Sequence, residues 1–330
     1  MGIGVYAAAL FGTMVAATPI PLQPIPWRDP APLGRLFLQQ PFEAPRPEDS
    51  GLSVQILSAN LLMKGGRAGG FEYTVDEEIA SFSLTGQLVL AKRWGLSVSV
   101  PLVLQYGGWL DPVIDGVEKL LGASSARRGT TSFQTVVRFA TPGGPVLERD
   151  GPSASIGDVT LGAQGWLVKQ SGFRPALALR AALKAPTGGP LVGSGTWDVG
   201  GGLLAGWEAG FFAAHLAFDV ALPTGRLRVL DLATRPYASV QVGLGFRVDE
   251  AVALHLQLSG HTPPLRVDDA PGLSESTFYI LAGTDWQLAP GTSIALSMAE
   301  NFLSPGRGAD FSVLLGLRLT PGAAGGGGSW

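Results

Sequence analysis

The chain has no cysteine among its 330 residues. That excludes a disulfide framework, thiolate catalysis and cysteine-based zinc sites. It has three histidines, and no local cluster of histidine and carboxylate offers metal-ligand spacing. Charged residues are scarce at 15%, the net charge is −3 and no basic patch is present, which argues against a nucleic-acid partner. Long apolar runs are missing too: beyond the N-terminal segment, no stretch of about 18 apolar residues offers a transmembrane helix. No helical period is sustained through the body, and no long charged or Ser/Pro linker divides it after residue 50.

What the chain has instead is alternation. In Ala251 to Ser259, Val252, Leu254, Leu256 and Leu258 are large and apolar, while Ala253, His255, Gln257 and Ser259 are small or polar. A period of two is a β-strand with one oily and one wet face. The pattern recurs near residues 51–62, 77–91, 94–105, 155–169, 174–186, 196–208, 210–222, 235–248, 251–262, 275–288, 292–303 and 309–319. A mean hydropathy of +0.26 is high for a soluble chain. Oily overall but never continuously oily is what a membrane barrel requires, because half of each strand faces its lumen. A soluble sandwich or barrel is the weaker reading. Short and long connections alternate, with tight turns at Lys92-Arg93, 170–173, Ala209, Asp249-Glu250 and 289–291. The sequence therefore predicts an all-β fold: a closed antiparallel transmembrane β-barrel of about 12 strands in the cell outer membrane of a Gram-negative envelope. Short turns and both termini are expected on the periplasmic side. A barrel of 14 strands that borrows part of the N-terminal segment is the alternative.

Residues 1–17 have the apolar core and small-residue cleavage site of a signal peptide. Residues 18–50 are rich in proline, which cannot donate to a sheet ladder, and are expected to form an extended periplasmic lead-in. The barrel is assigned to 51–320 and a flexible glycine-rich tail to 321–330. Ser132 to Ala140 also alternates and is placed with Val146 to Arg149 as a hairpin in the long second extracellular loop. In the same loop Leu110, Val113, Ile114, Val117 and Leu121 recur at helical spacing after Trp109. They predict a short amphipathic helix that lies at the rim or folds into the mouth as a gate. Trp94, Trp207, Phe246 and Trp286 adjoin the short turns as an interfacial girdle. Gly200, Gly201 and Gly202 predict a bend or a close approach in the lumen.

Gly107-Gly108-Trp109-Leu110-Asp111, then Ile114-Asp115-Gly116 and Arg127-Arg128, resemble the motif of a family described as domain of unknown function 3187. Gly157-Asp158, Pro186-Thr187-Gly188, Gly193-Ser194-Gly195 with Asp198, and Pro223-Thr224-Gly225 are similar to the same family over roughly residues 51–320. The chain departs from it at Val117-Glu118-Lys119, where the family pattern has an aromatic and a histidine. The resemblance implies an outer-membrane barrel and no particular activity.

Strand parity points His215, His255, His261, Asp219, Asp158, Arg180, Lys184, Asp198, Arg247, Asp285 and Arg318 into the lumen. A lumenal hydrolase would need a nucleophile and base within hydrogen-bond reach. His255 and Ser259 are about 13 Å apart on one strand by strand rise, so they cannot form that pair. A lining of paired charges is the simpler reading. No catalytic residue, cofactor or metal is expected. The partners expected are outer-membrane lipid and a small-molecule solute, and the function that of a narrow passive channel, transporter or binding barrel. A structural barrel with a closed lumen is the alternative, and an outer-membrane hydrolase a weaker one.

Overall fold

Alternating side chains commit the body of the chain to strands, and hydrocarbon forbids a strand edge left open, so the sheet must close on itself. The computed structural model describes residues 19–45, 50–66, 70–90, 93–108, 135–141, 143–267, 270–301, 303–304 and 307–320. The strands of the wall are β1 (Gly51–Gly66), β2 (Glu72–Leu90), β3 (Trp94–Tyr106), β6 (Ser153–Ile156), β7 (Val159–Val168), β8 (Ala176–Ala185), β9 (Trp197–Ala209), β10 (Phe212–Thr224), β13 (Tyr237–Arg247), β14 (Val252–His261), β15 (Thr277–Ala289), β16 (Thr292–Glu300) and β17 (Phe311–Leu319). Outside it are β4 (Val136–Thr141), β5 (Gly144–Asp150), the short pair β11 (Arg226–Leu227) and β12 (Leu232–Ala233), and the single turns of helix α1 (Pro32–Arg35) and α2 (Pro271–Ser274). Each wall strand is antiparallel to its neighbours, and β17 returns to β1 through pairs running from Leu52–Leu319 to Asn60–Phe311. With β6 and β7 as two halves of one span, the closed wall has twelve strands, as the alternation predicts. Residues 19–45 contribute no strand, so the larger barrel is not formed.

The two faces follow the sequence. Leu96, Val98, Val100 and Leu102 on β3, Leu254, Leu256 and Leu258 on β14, and Leu315, Leu317 and Leu319 on β17 are exposed. Their neighbours Ser99, Gln257 and Ser312 are buried inside. At the short-turn end, Phe173 stacks on Trp207 at 6.3 Å, Trp207 meets Phe212 at 6.2 Å, and Phe212 meets Phe246 at 5.2 Å. Trp94 is exposed at the same end and Trp286 half-buried there. This is the aromatic level expected where hydrocarbon meets headgroups.

At the other end β1 and β2 run on past the wall. The register from Leu61–Glu77 to Gly66–Glu72 carries them outward, and β4 and β5 add to β2 there. The predicted hairpin around 132–149 is thus formed by β4 and β5, in the same sheet as the barrel. Leu61, Met63, Tyr73, Val75 and Phe139 of this extension share one buried apolar cluster with Leu227, Leu265, Val267 and Leu273 of the long loops. Those loops cover the mouth. The proposed helix Trp109–Leu121, the signal segment 1–17 and the tail 321–330 lie outside the described residues.

The wall has a lapse between β6 and β7. β6 pairs with Leu102–Gln105 and β7 with Trp94–Ser99, and Gly157-Asp158 between them stand beside Pro101, which has no N–H to give. Gly157 N still donates to Pro101 O at 2.8 Å.

Replacing Leu256, at the middle of β14 and 48% exposed, by Arg should destabilise the barrel by about 2–4 kcal/mol. Urea unfolding in lipid vesicles measures this. A loss as small as that of a loop substitution would contradict the lipid-facing assignment.

Candidate functional site: a lumen filled by its own chain

Residues 19–45 do not trail away from the barrel as the expected periplasmic lead-in. They occupy its interior. The physical reason lies in their composition: Ile20, Leu22, Ile25, Trp27, Leu36, Phe37, Leu38 and Phe42 are too apolar for a solvated segment, and all are buried. Proline suits this position, since the segment needs no ladder. One limb rises from the short-turn end, where Ile20 N donates to Glu250 O at 2.8 Å and Arg247 donates to Ile20 O at 3.1 Å. It passes His215, whose Nε2 donates to Leu22 O at 2.9 Å, and Gln257, which accepts from Ile25 N at 3.0 Å. After α1 a second limb descends. Tyr237 donates to Leu38 O, Gln241 to Gln40 O at 3.3 Å, and Gln164 to Ala44 O at 3.2 Å. The wall is cleared for it by glycines. A Cβ on Gly200 would stand 2.7 Å from Leu38, on Gly206 2.6 Å from Pro45, and on Gly243 3.0 Å from Phe42. Of the close approaches predicted for Gly200–Gly202, that at Gly200 is to the chain's own N-terminal hairpin, while Gly202 is approached by Asp219.

Clusters of charged side chains hold this hairpin. At its tip Asp29 accepts from Tyr279 at 2.5 Å, from Ala31 N at 2.8 Å and from His261 Nε2 at 2.8 Å. His261 Nδ1 also faces Thr262 O at 3.2 Å, a pair of contacts that the doubly protonated ring satisfies. Beside the tip, Arg35 lies 3.2 Å and Arg149 2.9 Å from Glu77, whose side chain is fully buried, and Gln105 donates to Glu77 at 2.9 Å. Burial draws the Arg149 guanidinium below its ordinary value, and the charge of Glu77 opposes this. On the descending limb Arg180 clasps Asp219 through Nε at 2.8 Å and Nη2 at 2.6 Å, while also donating to Pro41 O. Gln40 donates to the same Asp219 at 3.1 Å.

The motif residues meet at the lapse in the wall. Lys184 Nζ is 2.5 Å from Asp158, 2.7 Å from Ser194 Oγ and 3.4 Å from Asp198. Asp158 accepts from Gly188 N at 2.8 Å and Ser194 N at 3.1 Å, and Thr187 Oγ1 accepts from Val159 N at 2.9 Å while donating to Gly157 O. A Cβ on Gly193 would lie 2.6 Å from Asp158 Oδ1, so glycine is required there. Asp198 accepts from Thr196 Oγ1 at 2.7 Å and from Leu38 N at 2.8 Å. Side chains thus replace ladder bonds where β6 lacks a strand partner on its second side, and the same cluster grips the hairpin.

The predicted lumenal residues are brought together in pairs. Asp158, Lys184 and Asp198 form one group, Arg180 and Asp219 another. Arg247 bonds Glu208 at 2.7 Å, Gly210 O at 2.6 Å and the hairpin. His255 Nε2 is 3.3 Å from Asp285 without hydrogen-bond alignment. Arg318 is half-buried on the inward parity of Ser312 and Leu314. None of the described histidine bonds goes to a serine or threonine side chain. Among the described residues no group of three or more metal-ligating side chains converges. Sequence reasoning missed Arg28, Asp29, Arg35, Glu77, Tyr237 and Tyr279. The density of large apolar residues between the prolines was the signal that could have found the hairpin.

The packing is incomplete in two places. A cavity of about 90 Å³ separates the hairpin tip from β1, β2, β3 and β7, and a smaller one of about 30 Å³ lies toward β13 and β14.

Asp219→Leu should cost about 3–5 kcal/mol, because it strands a buried guanidinium, and Arg180→Met with Asp219→Leu should recover most of that. Denaturant unfolding in detergent micelles checks both. Equal losses in the single and double variants would deny that the pair acts as a unit.

A structural likeness links this barrel to the COG4313 outer membrane channel from Pseudomonas putida F1, with a TM-score of 0.54, 13% identity, 83% of this chain covered and 96% of that one. The NanC porin aligns with a TM-score of 0.48 and 8% identity over 81% of this chain and 98% of its own. The P. putida toluene transporter TodX aligns at 0.42 and 9% over 83% and 90%. At these identities the likeness concerns the fold, that of an outer-membrane barrel. No curated protein matches. Residues 36–320 match the family described as Protein of unknown function (DUF3187), and the chain belongs to that family.

Proposed function

We propose that the protein is a narrow passive channel for a small molecule, with residues 19–45 as a plug. The observation that carries this is how the hairpin is held. No residue of 19–45 joins a wall strand by ladder pairing. Apart from Ile20 N to Glu250 O, its bonds to the barrel run between side chains or from side chains to backbone, and a void persists beside it. An element that filled the lumen only for stability would be expected to leave no such space. The fold shared with the P. putida channel supports the reading. The short-turn end, where the plug begins, is read as periplasmic. An enzyme is disfavoured because no described histidine bond reaches a hydroxyl that could serve as a nucleophile.

A closed structural barrel is the second reading. It is favoured by the apolar cluster of the long loops over the mouth. Planar-bilayer recording separates the two. The full chain should show small or rare openings, and removal of residues 19–45 should raise conductance several-fold, with heat-modifiable gel mobility confirming a folded barrel. Silence from both folded proteins would establish the closed scaffold.

A further inference from the structure

Arg28 stands out in the larger cavity. The other two cations lining that space are neutralised, Arg35 by Glu77 at 3.2 Å and Lys184 by Asp158 at 2.5 Å. The two lining carboxylates are spent as well, Asp29 on Tyr279, Ala31 N and His261, and Asp158 on Lys184, Gly188 N and Ser194 N. Arg28 donates through Nη1 to Ser99 at 3.1 Å, its Nε is buried without an acceptor, and among the described residues it makes no ion pair. Glu43 and Arg180 act on it through space with opposite signs. A guanidinium carries five N–H donors in a planar fork shaped for a carboxylate, and leaving donors unspent in a confined site is costly unless something else accepts them.

The cavity walls are graded. Ser99, the acceptor for Arg28, is paired with Thr160, and Gln55 and Ser83 pair across β1 and β2 close by. Farther along, Leu57, Val103 and Leu314 line the same space, with Leu57 in register with Leu314 and with Ser81, which in turn faces Val103. One end offers a cation with hydroxyl and amide groups, the other a mainly aliphatic wall that Ser81 interrupts. The volume of about 90 Å³ is room for several water molecules, so the occupant is small.

We propose that this cavity binds a small monocarboxylate with an apolar tail, its carboxylate on the Arg28 fork and its tail against Leu57, Val103 and Leu314. That such anions are also the solute conducted rests on the channel reading above; the site itself does not.

Butyrate, with a short flexible tail, is a probe of suitable size. Isothermal titration into the detergent-solubilised full chain should show saturable binding, weakened tenfold or more in Arg28→Gln and unchanged in Arg226→Gln, an exposed loop variant. Inorganic phosphate, which has no tail, should bind more weakly than butyrate. No saturable binding, or the same weakening in both variants, overturns the site. In bilayers under a salt gradient, an anion-selective reversal potential that shifts toward neutrality in Arg28→Gln extends the site to conduction. A conducting pore with no anion preference overturns that extension and leaves the channel intact. Butyrate binding with bilayers silent, even without the plug, upholds the site and sinks the channel.

Discussion

The structure depends on one constraint: every backbone N–H and C=O at membrane depth needs a partner inside the protein. Pairing of β17 with β1 meets it by abolishing the sheet's edges. Once the ring is closed, parity decides the rest. One set of side chains meets lipid and the other is enclosed. The lapse at Gly157-Asp158 shows how stringent the constraint is. Where Pro101 removes a donor and β6 has a single strand neighbour, Thr187, Asp158 and the backbone of the 186–195 loop take over the missing bonds.

Enclosure creates a second problem. A lumen lined with charges is a poor place to leave them unpaired. The protein solves this partly within the wall, as with Arg180 and Asp219, and partly by importing partners on residues 19–45. Asp29 pairs with His261 and Arg35 with Glu77, while the backbone of Leu22 takes up His215 and that of Ile25, Gln40 and Ala44 takes up lining amides. The result is a barrel whose interior resembles a polar core.

The wall was largely readable because its period is short and local. Each strand announces itself within ten residues, and the inward positions of Lys184, Asp198 and Asp219 follow from parity alone. The spans in β1 and β2 were read too short, since beyond Leu61 both strands leave the hydrocarbon and carry polar residues such as Lys64 and Glu72 outward. The hairpin inside was not readable as such. Its prolines break any period, and many of its partners lie far away in the chain, as with Asp29 and Tyr279. The motif around Gly157, Thr187, Ser194 and Asp198 was visible as a pattern, but that all four serve one junction needed three dimensions.

The position of the hairpin in the chain bears on biogenesis. Residues 19–45 precede every strand, yet they end up encircled by all twelve, and the seam that seals the circle joins the first strand to the last. Threading a proline-rich double limb into a finished cylinder would require it to pass glycine-lined walls shaped to hold it. Wrapping strands in succession around a segment already made avoids that. The pairing of β17 with β1 then closes the cylinder around a segment that precedes the wall in sequence.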